Sequence, residues 1–190
     1  MLNVNRRFVV AAGISATLTS SVSAANLLFQ KEVAMSKSTD FDFLYHDWHV
    51  HHRKLKTRLA GANDWFEFEG TSNTRPILGG KGNIEDNVIH DPTSGTYRAT
   101  ALRSFDVENH VWRIWWLDQR FPASIGAPVV GGFQGEKGLF ITNEEWQGRA
   151  IKLRFIWLKD ADGGPCWKQA FSSDGGQTWE TNWVMNFSKL

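Results

Sequence analysis

Residues 110–118 read HVWRIWWLD, and this stretch shows the pattern that decides the fold. Trp112, Ile114 and Trp116 occupy alternate positions, separated by a second set of side chains. Successive side chains of a β-strand point to opposite faces of a sheet. The alternation therefore predicts a strand that carries two tryptophans and an isoleucine on one face.

The same period of two recurs along the chain from residue 41 onward. In DWHVHHRKL, Trp48, Val50 and His52 share a face, and in WFEFEG, Phe66 and Phe68 do so. Further alternating runs are TYRATALRSF (96–105), AIKLRFIWL (150–158), CWKQAF (166–171) and TNWVMNF (181–187). Polar turn sequences separate the runs: DPTSG (91–95), DVEN (106–109), GEKG (135–138), DADGG (160–164) and SDGG (173–176). Strands joined by short turns predict an up-and-down meander of about eight to ten strands.

A meander of this length is expected to close on itself. Closure removes the two unpaired edges of an open sheet, which would otherwise promote aggregation. We therefore predict an all-β, antiparallel, lipocalin-like barrel over residues 41–190, with room inside for side chains or one small ligand. The segment FDFLYHDW (41–48) is expected to form a short helical turn that plugs one end. FPASIGAPVVGGF (121–133), the one long connection without alternation, is expected to form a loop at the mouth.

The N-terminus has the order of regions that is typical of a secretory leader. Arg6 and Arg7 precede the apolar run FVVAAGISATL, and Val22 and Ala24 occupy the −3 and −1 positions of a signal-peptidase site. The apolar run is too short to span a membrane stably. We predict a signal peptide over 1–25, a flexible lead-in over 26–40, and a periplasmic or secreted protein. The general secretory route and the twin-arginine route both stay open.

Charge and composition limit the kinds of molecule that the protein is expected to bind. A formal net charge of +1 gives no electrostatic footprint for nucleic acid or for an anionic membrane, so neither partner is predicted. The chain has 10 Trp and 13 Phe but only 2 Tyr, which predicts an aromatic interior. Its single cysteine, Cys166, cannot form an internal disulfide and alternates with strand residues. We interpret it as a buried strand residue rather than a nucleophile.

Three segments together resemble an uncharacterised bacterial lipocalin-like, calycin-type family. They are DFDFLYHDWHVHHRKL (40–55), PILGGKGNIEDNV (76–88) and AFSSDGGQTWETNWVMNFSK (170–189). The resemblance covers residues 40–188 and implies a calycin-type barrel, with Trp48 closing its base. It implies no particular activity. The sequence departs from the family at His46, where lipocalin-like first strands commonly carry glycine.

Two glycine-containing motifs are interpreted as turns. Ser172, Asp174, Gly176, Thr178 and Trp179 match an Asp-box, in which the aspartate bonds nearby backbone N–H groups and the tryptophan packs beneath. One copy in a chain this short excludes a sialidase-type propeller. ILGGKGN (77–83) has the wrong glycine spacing for a phosphate-binding loop and predicts a hairpin or bulge.

The densest polar cluster is the histidine-rich part of the first predicted strand. His49 and His51 project from one face, and two imidazoles at this spacing can bind one metal ion if a third ligand is available. If Trp48 points inward, both histidines point into solvent, and this is the interpretation that we favour. No metal or other cofactor is predicted. A divalent metal at His49 and His51, or haem bound through one histidine, stay as alternatives.

Charged residues within the strands are the candidates for polar anchors. They are Arg75, Arg103, Arg113, Asp118, Arg120 and Arg154. A charge on the inner face is costly unless it is paired or faces a ligand. Asp118 and Arg120 share a face and are expected to pair near the mouth, and an inward Arg75 would bind a ligand carboxylate or carbonyl. The predicted ligand-binding residues are Trp48, Arg75, Trp112, Trp116, Asp118 and Arg120; no catalytic residue is assigned.

The sequence thus favours an exported barrel that binds a small hydrophobic or aromatic molecule. One alternative is an enzyme that acts on a small hydrophobic metabolite in the same cavity. Another is an interaction module, a homodimer for example, with a filled interior and an exposed Trp-rich face. A binding barrel predicts a cavity of roughly 300 Å³ or more. An enzyme further predicts a titratable group in that cavity, with a shifted pKa and a hydrogen-bonded partner.

Overall fold

The computed structural model, which describes residues 36–190, has ten antiparallel β-strands, and the seven alternating runs lie in seven of them. The strands are β1 (Asp47–Leu55), β2 (Trp65–Ile77), β3 (Gly82–Asp91), β4 (Gly95–Asp106), β5 (Val111–Asp118), β6 (Val129–Gln134), β7 (Lys137–Trp146), β8 (Arg149–Ala161), β9 (Gly164–Ser172) and β10 (Glu180–Lys189). Two 3₁₀ helices accompany them, Asp42–Leu44 before β1 and Leu78–Gly80 between β2 and β3. Among residues 36–190, no helix has the length and apolar character needed to cross a membrane.

Each strand pairs with its sequence neighbours, and β10 pairs with β1 to close the barrel. At the closing seam Trp48 lies opposite Lys189 and His52 lies opposite Met185. The predicted all-β, up-and-down closed barrel is confirmed, with the strand number at the upper end of the expected range. Closure pairs the first and last strands, so the sheet has no free edge.

The register determines which face of each strand points inward. On β1, Trp48, Val50 and His52 are buried, as the shared face predicts. On β3 the buried side chains include Asn83, Glu85 and Asn87, whereas Ile84 and Val88 are only half-buried. The inner face of β3 is therefore largely polar, which the apolar content of that strand does not predict.

One end of the barrel is closed by the predicted helical plug. Phe41 and Leu44 are fully buried there. The Phe41 ring makes edge-to-face contacts with Trp112 and Phe133, each with ring centroids 4.9 Å apart. Trp48 Nε1 donates to the Leu44 carbonyl (3.0 Å), so the tryptophan that the family resemblance places at the base does lie at the plugged end.

The described part of the predicted lead-in, residues 36–40, also packs against the barrel. Ser36 is buried, and its Oγ accepts a hydrogen bond from the Phe133 backbone N–H (2.8 Å). Trp112 Nε1 donates to the Lys37 carbonyl (3.1 Å). The predicted signal peptide lies outside the described residues and stays a prediction.

Both glycine-containing motifs form turns, as predicted. In the Asp-box, Asp174 Oδ1 accepts from the N–H groups of Gln177 (2.9 Å) and Thr178 (3.0 Å). Gly176 has a φ of 99°, and Trp179 Nε1 donates to its carbonyl. The segment Leu78–Gly80 makes the tight connection between β2 and β3.

Cys166 lies within β9 and is 3% exposed. Burial raises the pKa of its thiol, which keeps the sulfur protonated and unreactive. The interpretation as a buried strand residue is confirmed.

Candidate functional site

The end of the barrel away from the plug holds a cavity of about 750 Å³. Along β5 the inward side chains run from Trp112 at the plug, through Ile114, to Trp116 at the cavity. The apolar lining consists of Ile114, Trp116, Val129, Trp146, Leu153, Phe155, Trp167, Phe171 and Trp183. Phe121 and Ile125, from the β5–β6 connection, border the opening, so the first part of the predicted mouth loop is confirmed. Residues 129–133 of that predicted loop instead belong to β6, because they pair with β5 and β7. This volume lies within the range of roughly 300–1,000 Å³ that is typical of small-molecule sites.

The tryptophans of the wall support one another through edge-to-face contacts. Ring centroids lie 6.0 Å apart for Trp116 and Trp183, and 5.5 Å apart for Trp167 and Trp183. Phe155 meets Trp167 in the same way at 4.9 Å. Such contacts fix ring orientation. The rings of the cavity wall are therefore held in place by one another.

His52 supports the cavity wall through its contact with Trp183. It is 1% exposed, stacks on Phe68 with centroids 4.7 Å apart, and accepts a hydrogen bond at Nδ1 from Trp183 Nε1 (3.2 Å). Burial, assisted by the nearby Lys54 ammonium, lowers the pKa of His52 to about 3. The ring is thus neutral and serves as an acceptor. Gly70 makes room for it, because a Cβ there would lie 2.8 Å from His52 Nε2.

Three cations lie at the cavity: Lys54, Arg58 and Arg120. Lys54 Nζ is 3.2 Å from Asp91 Oδ2 and lies over the Trp183 ring, 4.6 Å from its centroid. Burial lowers the pKa of Lys54, and the ion pair with Asp91 opposes that effect. Burial raises the pKa of Asp91, but hydrogen bonds from Thr93 and the Lys54 ammonium outweigh it and hold that pKa at about 2. Asp91 is therefore ionised and neutralises Lys54.

Arg120 is neutralised in the same manner. Its Nη2 and Nε lie 2.6 and 2.9 Å from the two oxygens of Asp118, a bidentate contact. The guanidinium also covers the Tyr97 ring at 3.6 Å. The predicted pairing of Asp118 with Arg120 is confirmed.

Arg58 differs from the other two cations. Its guanidinium lies 4.9 Å from the Trp146 ring centroid and 5.5 Å from that of Phe171, both in the cavity wall. Within residues 36–190, no carboxylate oxygen lies within 4.0 Å of it, whereas Lys54 and Arg120 each have such a partner. Burial lowers the pKa of Arg58. Arg58 is therefore a partly desolvated cation that stacks on aromatic rings and has no ionic partner in the described chain.

The floor of the cavity adjoins a buried polar network. Arg103 and Glu85 form an ion pair, and both side chains are 2% exposed. Ser72 Oγ donates to Glu85 Oε1 (3.0 Å), and Arg103 Nη1 donates to Asn83 Oδ1 (2.9 Å). A void of about 20 Å³ separates this pair from the large cavity; Trp116 and Trp167 line both spaces. That void is large enough for one water molecule.

The structure separates the six predicted ligand-binding residues into three groups. Trp116 and Arg120 line the cavity, and Asp118 holds Arg120. Trp48 and Trp112 are core residues of the plugged end. Arg75 is exposed on the outer face, so the inward orientation considered from the sequence is not found. Its neighbour Thr74 takes the inward position on β2, which forces Arg75 outward. A ligand-binding role for Trp116, Asp118 and Arg120 stays a prediction.

His49 and His51 lie on the outer face, as favoured from the sequence. His51 Nδ1 is 2.8 Å from Glu69 Oε1, and His49 Nε2 is 3.3 Å from Glu69 Oε2. His51 Nε2 also lies 3.3 Å from Glu67 Oε2. Over residues 36–190, no group of three or more His, Cys, Asp or Glu side chains has the geometry to hold a metal ion.

Sequence reasoning missed Arg58, Lys54 and His52 as site residues. Arg58 lies in the β1–β2 connection, where no periodicity gives a direction. Lys54 follows His52 by two residues and so shares its face of β1. Only the contact with Asp91 in the folded structure distinguishes Lys54 from a surface lysine. The sequence did contain a signal for His52, because this residue shares a strand face with Trp48.

Comparison with known proteins yields no match: no protein-family model matches the chain, and no curated protein does. The closed ten-stranded antiparallel barrel is compatible with a calycin-type fold.

Proposed function

We propose that this protein is an exported lipocalin-like barrel that binds a small hydrophobic or aromatic molecule in the cavity at its open end. The observation that carries the proposal is the 750 Å³ cavity lined by four tryptophans, Trp116, Trp146, Trp167 and Trp183. Apolar, aromatic walls with few polar groups are typical of small-molecule sites. The edge-to-face contacts among these rings support a preformed site, which lowers the entropic cost of binding.

Tryptophan fluorescence provides the test, with N-phenyl-1-naphthylamine as a neutral apolar probe. We expect saturable energy transfer from tryptophan to the bound probe. Trp116→Ala removes an aromatic wall and should weaken probe binding by roughly 3- to 10-fold. Trp115→Ala is the matched control, because Trp115 is the adjacent residue on β5 and belongs to the opposite face.

Two results would contradict the proposal. The first is absence of saturable binding to a wild-type protein that unfolds cooperatively. The second is equal loss of affinity in the Trp115 and Trp116 variants, which would place the probe outside the cavity. Mass spectrometry of molecules that co-purify with the native protein would identify the natural ligand.

An enzyme that uses the same cavity is the second candidate, favoured by Lys54. This residue borders the cavity, has a lowered pKa and has a hydrogen-bonded partner in Asp91. A desolvated amine can act as a base or nucleophile. The ion pair with Asp91 counters that role by keeping the ammonium charged. Recovery of the co-purified molecule unchanged after incubation with fresh protein would favour binding, and conversion lost in Lys54→Met would favour catalysis.

Export and oligomeric state belong to the same proposal. Export is supported by the Arg6–Arg7 pair, the apolar run that follows and the small residues at 22 and 24. N-terminal sequencing of protein recovered from the cell envelope should begin near residue 26. Homodimer formation also stays a proposal, which sedimentation of the mature protein would test.

A further inference from the structure

We propose that the ligand carries an anionic group, a carboxylate or its equivalent, and that Arg58 binds it at the mouth of the cavity. This inference depends on the proposed function, since it names the chemical class of the molecule that the cavity holds. The ligand is accordingly amphipathic, with an apolar or aromatic body inside the barrel and one anionic end at the rim.

The three rim cations differ in whether they have a counter-ion within the described chain. Lys54 is held by Asp91 and Arg120 by Asp118, so each already has an internal counter-ion. Arg58 has none within 4.0 Å among the described residues. A cation in an apolar setting is costly without a partner, and a bound anion would remove that cost.

The orientation of the Arg58 side chain suits it to bind an anion in the cavity. The stacking on Trp146 and Phe171 holds the guanidinium against the cavity wall rather than extending it into solvent. Stacking uses the flat face of the group and leaves its N–H edge free for a bidentate acceptor. Glu180 and Asp91 also attract the Arg58 guanidinium electrostatically, but neither carboxylate lies within 4.0 Å of it. Glu180 Oε1 accepts from the Leu59 backbone N–H (2.6 Å), and Asp91 pairs with Lys54.

Two glutamates border the same cavity and must be weighed against this inference. Glu144 and Glu145 are exposed, so solvent and salt screen their repulsion of an anion. Arg58 is only partly accessible and its charge is less screened. That difference favours the attraction by Arg58 over the repulsion by the glutamates.

The test compares two probes with the same body and different charge, 1-pyrenebutyric acid and 1-pyrenebutanamide, by tryptophan-to-pyrene energy transfer at pH 7. We expect the wild-type protein to bind the acid about 10-fold more tightly than the amide, the effect of one charge-assisted contact. Arg58→Met should abolish this preference by weakening the acid alone. Arg58→Lys should retain part of it. Arg75→Met is the matched control, because Arg75 is exposed on the outer face.

The outcomes separate the two proposals. If the acid binds no better than the amide in the wild type, or fails to bind while a neutral probe binds, this inference is overturned and the proposed function stands. If no apolar probe binds, the proposed function itself is overturned. Retention of the acid preference in a folded Arg58→Met variant overturns the assignment to Arg58. If Arg58→Met does not fold, Arg58→Lys and the wild-type comparison decide.

Discussion

The two ends of the barrel interior use the same residue types to different effect. At the plugged end, Phe41, Trp112 and Phe133 fill the space and contact one another. At the open end, tryptophans instead line a cavity of about 750 Å³. An aromatic interior is therefore not by itself evidence of a binding site, because filled and open volumes are built from the same side chains.

Charge distinguishes the two ends more sharply. The buried arginine of the plugged half, Arg103, has Glu85 and Asn83 as partners and lies over the Phe41 and Trp157 rings at 4.9 and 5.3 Å. Arg58 at the open end has aromatic neighbours but no ionic partner among residues 36–190. We infer that Arg103 serves the stability of the fold and that Arg58 serves ligand binding.

The largest expected effect concerns the plugged half. Arg103→Met leaves the Glu85 carboxylate buried without its partner, and we expect a loss of about 3–5 kcal/mol in the free energy of unfolding, measured by urea denaturation. The double variant Arg103→Met/Glu85→Leu removes both charges and should recover a large part of that loss.

Arg113→Met is the control for this prediction, because Arg113 pairs with Asp106 at the surface with its side chain 40% exposed. It should cost at most about 1 kcal/mol. If Arg103→Met cost no more than Arg113→Met, the plugged half would not be the stabilising end, and the comparison would fail.

The second prediction concerns the support of the open-end wall by His52. Its native pKa of about 3 lies below its ordinary value of 6.5, so the unfolded chain binds more protons between these pH values. The stabilisation is complete above pH 6.5 and is lost as pH falls. We expect His52 to account for about 2 kcal/mol of lost unfolding free energy between pH 7 and pH 5.

Urea unfolding at pH 7, 6 and 5 measures this loss in the wild type and in His52→Gln, which keeps an acceptor for Trp183 without a titrating ring. The pH dependence should flatten in His52→Gln. It should persist in His110→Asn, since His110 is exposed and is not among the residues whose charges shift the pKa of His52. An unchanged pH dependence in His52→Gln would show that protonation of this buried ring does not loosen the wall.

The smallest expected effect tests whether an ion pair with a carboxylate is what keeps the other rim cations from binding an anionic ligand. Asp118→Asn removes the counter-ion of Arg120 and leaves a second unpaired guanidinium at the cavity. Affinity for 1-pyrenebutyric acid should rise by roughly 2- to 5-fold, while affinity for the amide stays constant. A parallel gain for both probes would mean that the substitution enlarges the cavity rather than freeing a charge.

Much of the fold could be predicted from the sequence. Alternation in β5, with Trp112, Ile114 and Trp116 on one face, identifies a strand and its inner side without reference to any other part of the chain. The plug at Asp42–Leu44, the mouth loop and the Asp118–Arg120 pair follow from local order as well. Of the candidate site, Trp116 and Arg120 were within reach of this reasoning, because both extend the pattern of one strand to its end.

The rest required the tertiary structure. A period of two separates the two faces of a strand. It does not say which face points inward when both faces carry polar and apolar residues. On β3, pairing with β2 and β4 turns Asn83, Glu85 and Asn87 inside. Arg58 lies in a connection with no period at all. The sequence by itself determined the all-β class and seven of the ten strands, because these depend on local alternation and short turns, whereas β3, β6 and β7 lie outside the alternating runs. Only the tertiary structure decided which interior volume is filled and which rim cation has no ionic partner within residues 36–190, because both depend on contacts between residues far apart in the chain.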